Sequence, residues 1–193
     1  MKKLPNKRFG VLYADPPWTF KARSEKGEGR SAKRHYKTMK LKDICNIHAS
    51  SVAKKDCVLL IWATMPNLLD ALKVIEAWGF TYKTVAFVWM KQNKNTPQLF
   101  YDANDIFSGM GYWTRSNCEL CLLATRGNPK RKDRDVAQAI FSPVREHSRK
   151  PADVYGRIER LVDGPYLELF ARTTRNGWTA WGRETGKFRR WGA

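Results

Sequence analysis

The sequence predicts an α/β fold in which a mostly parallel sheet carries helices on both faces. Apolar runs typical of strands alternate with segments of helical periodicity, which is the pattern of βαβ units. The run 57–63 (CVLLIWA) is apolar throughout, as expected for a strand that is buried on both faces. The 193 residues show no internal repeat and no low-complexity linker. We therefore expect residues 1–193 to form a single domain, with no separate target-recognition domain.

Each predicted element has its own local signals. Residues 9–14 (FGVLYA) form a short apolar run that stops at an aspartate and two prolines. Residues 66–80 combine helical spacing with Pro66 at the start and Gly79 near the end, which are typical first and last signals of a helix. In chain order, strands are predicted over 9–14, 57–63, 82–90, 117–125 and 166–172, and helices over 41–53, 66–80 and 151–161.

The charge of the chain predicts a polyanionic partner. Lysine and arginine outnumber aspartate and glutamate by 36 to 18, which gives a formal net charge of +18. Such a surface attracts polyanions over long range, so nucleic acid is the first expected partner and an anionic membrane surface the second. No run of 18 apolar residues is present, and the basic start MKKLPNKRFG lacks the apolar segment of a secretory signal. We expect a cytoplasmic protein with no membrane-spanning segment.

The four cysteines predict neither a disulfide framework nor a metal centre. Cys57 opens an apolar run, so we expect it to be buried. Cys118 and Cys121 form a single C-x-x-C pair within a predicted strand, where positions i and i+3 point to opposite faces. That geometry argues against a shared metal and favours ordinary core cysteines over a zinc or redox site.

Three long polar loops, residues 19–40, 91–113 and 126–135, each follow a predicted strand. Loops of this length are usually binding loops, lids or disordered segments. Ligands of open α/β sheets bind at the carboxyl ends of the strands, so all three loops could surround one site. The basic clusters favour phosphate contact over simple solvation. The candidate nucleic-acid-binding residues are Lys33, Arg34, His35, Tyr36, Lys37, Lys130, Arg131 and Lys132.

The stretch 15–18 (DPPW), which ends the first strand, has two possible interpretations. It is either a rigid turn or a reaction site, and the turn alone leaves the carboxylate of Asp15 unexplained. The prolines have fixed φ and no N–H, so the site offers the Asp15 carboxylate and a proline carbonyl as acceptors without nearby backbone donors. Trp18 adds an aromatic face. An exocyclic amine of a nucleobase fits this arrangement, since it has two N–H groups to donate and a ring to stack.

Methyl transfer is a reaction that such a site would promote. The lone pair of an aromatic amine is delocalised, and two acceptors that hold its hydrogens favour a more pyramidal nitrogen. A methyl donor on the opposite side would then react by in-line displacement, helped by positioning and by fixed dipoles. No G-x-G-x-x-G is present in a strand–helix setting, which argues against a nicotinamide dehydrogenase.

The motifs resemble the MT-A70 group of S-adenosylmethionine-dependent adenine-N6 methyltransferases. Besides ADPPW, the family's blocks are matched by HYKTM (35–39), HSRKPADVYGRIERL (147–161), and ELFART with GWTAWG (168–182). The resemblance runs from about residue 10 to 185 and implies a permuted Rossmann-like methyltransferase fold, with the catalytic motif early and the cofactor-binding strand late. It also implies methyl transfer from S-adenosylmethionine to N6 of adenine.

The resemblance assigns roles to individual residues. Lys150 would meet the carboxylate of the cofactor's methionine moiety, and Arg172 its ribose hydroxyls. Arg183 and Glu184 stand where the family often has an amide followed by Gln or Glu, which leaves that contact open. The catalytic residues expected from the resemblance are Asp15, Pro16, Pro17 and Trp18. The expected cofactor-binding residues are Asp15, Ser148, Lys150, Glu168, Phe170, Arg172, Asn176 and Glu184.

Three functions follow as alternatives. The compact, basic chain resembles bacterial and phage DNA enzymes, so adenine-N6 methylation of DNA is the first expectation. An RNA adenine methyltransferase is the second, and a catalytically silent nucleic-acid-binding subunit is the third. The intact Asp15 and Trp18 argue against silence. Relatives often dimerise, so a homodimer is expected.

Overall fold

A computed structural model describes residues 3–19, 38–94, 105–109, 111, 113–146 and 148–188. Within these residues the chain forms a sheet of seven strands and three α-helices. The strands are β1 Phe9–Ala14, β2 Ala53–Ala63, β3 Thr81–Gln92, β4 Cys118–Arg126, β5 Ala139–Pro143, β6 Tyr166–Leu169 and β7 Trp178–Trp181. The helices are α1 Leu41–Cys45, α2 Leu68–Ala77 and α3 Asp153–Leu161, with 3₁₀ turns at Ala49–Val52 and Met65–Asn67.

The sheet has the strand order β5-β3-β4-β2-β1-β6-β7 and is mostly parallel. Strand β1 is parallel to both of its neighbours, β2 and β6. Among the described strands, β4 alone is antiparallel to its neighbours, β2 and β3. The predicted fold class is confirmed. Because β6 lies beside β1, the late block of the sequence meets the early one at the centre of the sheet.

Apolar side chains cover both faces of the sheet. Alternation along β1 sends Leu12 and Ala14 into one cluster, which includes residues of α1 and α2. It sends Val11 and Tyr13 into a second cluster, which includes residues of α3. Strand β2 divides in the same way, which explains why residues 57–63 are apolar without interruption. The buried Cys57 lies in the first cluster, as predicted.

Several elements differ from the sequence prediction. The helix expected over 41–53 ends at Cys45 and continues as the 3₁₀ turn Ala49–Val52, because this polar Asn-Ile-His-Ala-Ser-Ser stretch makes short-range turns. The last predicted strand ends at Leu169, because Phe170 takes a left-handed conformation with φ 61°. Strands β5 and β7 were not predicted. They are only five and four residues long and lie at the two edges of the sheet.

The three long loops do not share one edge of the sheet. Since β4 runs opposite to its neighbours, loop 126–135 leaves at the amino ends of β1 and β2. There the Asn128 N–H donates to Asp56 Oδ1 at 2.7 Å, and the Lys132 N–H donates to the Leu161 carbonyl. The expectation that this loop lies beside Asp15 is therefore wrong. Nucleic-acid binding by Lys130, Arg131 and Lys132 stays a prediction for the opposite edge, and residues 33–37 lie outside the described residues.

The described residues contain no helix that could span a lipid bilayer.

Candidate active site

Asp15 lies at the carboxyl end of β1, in the middle of the sheet. The register places Tyr13 and Ala14 beside Glu168 and Leu169 of β6, so Asp15 and Phe170 leave adjacent strands at the same edge. Asp15 Oδ1 is 2.9 Å from Lys150 Nζ, and Asp15 Oδ2 accepts a hydrogen bond from Arg172 Nη2. Residues from both ends of the chain therefore meet at one carboxylate.

The backbone of the DPPW stretch is a tight, anchored turn. The Trp18 N–H donates to the Pro16 carbonyl at 2.8 Å, and the Met39 N–H donates to the Pro17 carbonyl at 2.9 Å. The expectation that no backbone donor competes for these carbonyls is therefore wrong. Each carbonyl oxygen has two lone pairs, so one acceptor position on each is left after these bonds.

Trp18 anchors this turn in the core. Its indole is 7% exposed, packs in the first apolar cluster and donates its N–H to the Trp62 carbonyl at 2.9 Å. Within the described residues, Trp18 therefore does not offer the open aromatic face that the sequence predicts. A catalytic contribution of Trp18 stays a prediction, and the structure favours one that acts by positioning Asp15.

A row of largely buried ion pairs extends from Asp15 into the protein. Lys150 Nζ contacts both Asp15 and Glu119, with 3.1 Å to Glu119 Oε2. Glu119 Oε1 in turn accepts from Lys91 Nζ at 2.6 Å. Burial would raise the pKa of Glu119, but Lys150 and Lys91 outweigh it and lower the pKa to about 2. Burial would likewise lower the pKa of Lys150, but Asp15 and Glu119 raise it to about 12.

Glu168 has a different environment from Asp15. Its Oε2 accepts the hydroxyl of Tyr155 at 3.0 Å, and burial together with the negative charge of Asp15 raises its pKa to about 7. Burial and the carboxylate of Glu168 also raise the pKa of Tyr155. The Tyr155 ring packs edge-on against Tyr13 and Trp178, with centroid distances of 5.5 and 5.1 Å. These rings fix the phenol beside the carboxylate.

A pocket of about 500 Å³ opens beside Asp15 and collects most of the predicted cofactor residues. Glu184 is not among its lining residues. It is exposed and accepts from Lys187 Nζ at 3.0 Å, so the expected contact with the cofactor has no support in the geometry. The predicted residues that line the pocket are Asp15, Ser148, Lys150, Glu168, Phe170, Arg172 and Asn176.

Two lining residues have a strained backbone. Ser148 and Phe170 have φ of 62° and 61°, and they are the non-glycine residues with positive φ in the part of the chain that the structure describes. Such conformations cost of order 1–3 kcal/mol and cluster at functional sites. Gly182 supports the turn at Phe170, because a Cβ there would lie 2.5 Å from the Ala171 carbonyl oxygen. This contact explains the glycine after GWTAW.

Comparison with known proteins identifies the group to which this site belongs. The sequence model of the MT-A70 family matches residues 9–184, which include the DPPW stretch and all seven described strands of the sheet. The chain belongs to the MT-A70 family. The resemblance noted from the motifs is thereby confirmed.

Individual relatives differ in how much of their own length the chain matches. It is 33% identical to the type II methyltransferase M.MunI of a Mycoplasma species, over 94% of this chain and 80% of the relative. It is 31% identical to an N(6)-adenosine-methyltransferase MT-A70-like protein of Arabidopsis thaliana, over 91% of this chain and 24% of the relative. It is 29% identical to the human N(6)-adenosine-methyltransferase catalytic subunit METTL3, over 86% of this chain and 26% of the relative. The chain thus spans about a quarter of these two plant and human proteins.

The structure brings residues to Asp15 and its pocket that the sequence patterns do not predict. Glu119 could have been noticed as a carboxylate inside the apolar run CELCLLAT, where a charge requires a partner. Tyr155 lies within the block 147–161, but its partner Glu168 is apparent only from the fold. Arg149 and Phe188 also line the pocket, and neither has a distinguishing signal in the sequence.

Proposed function

We propose that this MT-A70 protein transfers a methyl group from S-adenosylmethionine to the N6 amine of adenine in DNA. The observation that carries the proposal is the contact between Asp15 of the DPPW stretch and Lys150 and Arg172 of the two late motifs. Residues expected to hold the target amine and residues expected to hold the cofactor thereby lie at one edge of the sheet, beside one pocket.

The pocket suits S-adenosylmethionine in size and in chemistry. Its volume of about 500 Å³ lies within the usual range for small-molecule sites. Its lining offers cations for a carboxylate, carboxyl groups for hydroxyls and an amine, and aromatic rings for a base. Thr173 Oγ1 is buried in this lining without a hydrogen-bond partner among the described residues, so a ligand hydroxyl or amine would satisfy it.

Particular residues of the pocket would hold each part of the cofactor. Lys150 would hold the methionine carboxylate through its charge, which Asp15 and Glu119 stabilise. Arg172 and Glu168 would hold the ribose hydroxyls as donor and acceptor, and Asn176 would contribute at the rim of the pocket. When bound, the cofactor supplies a methyl group made electrophilic by the adjacent sulfonium.

The protein's task is to orient the amine and to stabilise its charge. Asp15 retains acceptor positions beyond its bonds to Lys150 and Arg172, since a carboxylate has about four lone-pair sites. Asp15 would accept one N–H of the target amine, and a free lone pair of a proline carbonyl the other. The amine becomes positively charged as it takes the methyl group, and the negative charge of Asp15 stabilises that change. The amine then loses one proton to solvent, which yields the neutral product.

Three observations support nucleic acid as the polymer and DNA as its type. The formal net charge of +18 suits a phosphate backbone. Trp113, 89% exposed, and the exposed Arg115 lie on a loop at the edge that carries Asp15. M.MunI, which the chain matches over most of both lengths, is named a type II methyltransferase, which favours DNA. RNA is the second candidate, favoured by the relatives named N(6)-adenosine-methyltransferases. A homodimer stays a prediction.

Product analysis tests the proposal. The protein is incubated with S-adenosylmethionine and either DNA or RNA, the polymer is digested, and N6-methyladenine is measured by mass spectrometry. We expect product on DNA, and its loss in Asp15→Asn but not in the matched control Asp43→Asn on the exposed surface of α1. Product on RNA alone would replace DNA by RNA as the substrate. A lack of product on both polymers, or an active Asp15→Asn variant, would contradict the proposed chemistry.

A further inference from the structure

Residues 185–188, the last that the structure describes, fold back onto the pocket. They lie beyond residue 184, where the match to the family model ends. The Lys187 N–H donates to the Glu184 carbonyl at 2.9 Å, and the Phe188 N–H donates to the Arg172 carbonyl at 3.1 Å. These two bonds fix the backbone so that the Phe188 ring lines the pocket. The segment therefore contributes a wall that the family's own motifs do not.

The Phe188 ring lies beside two arginines of the same pocket. Its centroid is 4.9 Å from Arg149 Cζ and 5.9 Å from Arg172 Cζ, within the range of cation–π contacts. Arg172 also donates to Asp15, so the ring and the reactive carboxylate share one guanidinium as a neighbour. A ligand whose sulfur lies near Asp15 can therefore extend its nucleoside over the ring.

The other aromatic side chains of the pocket are fixed by hydrogen bonds or ring packing with their neighbours. The Tyr13 hydroxyl accepts the Trp62 indole N–H, and Tyr155 donates to Glu168. Phe170 packs edge-on against Trp181 at a centroid distance of 5.8 Å. Phe188 is half-buried and is held from its backbone, which suits a ring that receives a flat ligand.

We propose that Phe188 is a stacking wall for the adenine ring of S-adenosylmethionine. The inference rests on the proposed function, and it assigns the base-binding part of the cofactor site to a residue outside the family's motifs. Aromatic rings stack with any base face, and loss of one such contact weakens binding about tenfold. The contact is made by the ring, so another aromatic residue should replace it.

Calorimetric titration with two ligands tests the proposal without turnover. S-adenosylhomocysteine carries the base, and S-ribosylhomocysteine has the same amino-acid and ribose parts without it. We expect Phe188→Ala to weaken binding of S-adenosylhomocysteine about tenfold and Phe188→Trp to restore it. Binding of S-ribosylhomocysteine should stay unchanged in both variants. Phe141→Ala, at a half-exposed phenylalanine of edge strand β5, is the matched control and should bind as the wild type does.

Each other outcome overturns the inference. An unchanged Kd for S-adenosylhomocysteine in Phe188→Ala would show that the ring makes no contact with the base. Equal weakening of both ligands would show that Phe188 acts through Arg149 or Arg172 instead. Thermal unfolding without ligand checks that the variants are folded. A wild type that binds no S-adenosylhomocysteine would instead contradict the proposed function, and the inference with it.

Discussion

Lys150 Nζ lies 2.9 Å from Asp15 Oδ1, although the two residues are 135 positions apart in the chain. Lys150 also contacts Glu119, and its own side chain is only 9% exposed. One ammonium group is therefore shared by two largely buried carboxylates, each of which has a second cationic partner, Arg172 or Lys91. This arrangement gives Lys150 a structural role besides the proposed contact with the carboxylate of the cofactor, and the two roles lead to separable predictions.

Replacing Lys150 by alanine should affect both cofactor binding and stability. The KM for S-adenosylmethionine should rise, because the cation for the methionine carboxylate is lost. The free energy of unfolding should fall by about 1–3 kcal/mol, because Asp15 and Glu119 each lose one charged partner but keep Arg172 and Lys91. Steady-state kinetics and chemical denaturation measure the two effects. Lys73→Ala, at a largely exposed lysine of α2, is the control. An unchanged KM in a folded Lys150→Ala variant would remove Lys150 from the cofactor site.

Replacing Glu119 by glutamine should change how stability depends on pH. The folded-state pKa of Glu119 is about 2, compared with 4.5 in the unfolded chain, so its stabilising effect is present above pH 4.5 and is lost as the pH falls toward 2. The full effect corresponds to roughly 3 kcal/mol. Denaturation between pH 6 and pH 3 should therefore show a shallower loss of stability in Glu119→Gln than in the wild type. Equal slopes would show that the contacts of Glu119 contribute nothing to this pH dependence.

Local patterns in the sequence predict most of the strands and single out the Asp15 carboxylate, but they do not predict the contacts around them. Strand β1 could be predicted because its apolar run stops at Asp15 and two prolines, and the late motifs identified Lys150 and Arg172 by resemblance. The direction of β4 could not be predicted, because an apolar run such as CELCLLAT reads alike in both directions. Burial of Trp18 depends on the Trp62 carbonyl, 44 residues away, so no local pattern indicates it.

Cofactor binding should tighten as the pH rises through 7. Ionised Glu168 accepts hydrogen bonds from ribose hydroxyls, whereas its protonated form loses part of that capacity. With a pKa of about 7, the ionised fraction rises roughly tenfold between pH 6 and pH 8. The Kd of S-adenosylhomocysteine, measured by calorimetry, should fall by up to about this factor. The trend should be flatter in Glu168→Gln. A wild type and a variant with the same pH profile would contradict the assignment of Glu168.

The raised pKa of Glu168 has the opposite effect on the stability of the unliganded protein. The pKa of Glu168 is raised in the folded state, so the protonated form stabilises the protein fully below pH 4.5. That contribution is lost as the pH rises through 7. The unliganded protein should therefore lose stability between pH 5 and pH 8 through this group, while its affinity for the cofactor increases. Opposite trends in the two measurements distinguish Glu168 from a group that is ionised throughout this range.

Trp113 should contribute to nucleic-acid binding and not to cofactor binding. The Gly109 N–H donates to the Ser116 carbonyl, and the Lys91 N–H donates to the Asn117 carbonyl, so the loop that carries Trp113 is tied to the end of β3 at the edge of Asp15. An exposed indole on a basic protein can stack on an unpaired base, which is worth about 1–3 kcal/mol. Trp113→Ala should weaken binding of single-stranded DNA about tenfold in a fluorescence anisotropy titration, with the Kd of S-adenosylhomocysteine unchanged.

Tyr82→Ala is the control, because Tyr82 is also exposed but lies at the start of β3, on the opposite edge. Equal DNA affinity of the wild type and Trp113→Ala would exclude stacking by this residue. Equal weakening by both variants would show that the contribution of an exposed aromatic residue to DNA binding does not depend on its lying at the edge of Asp15.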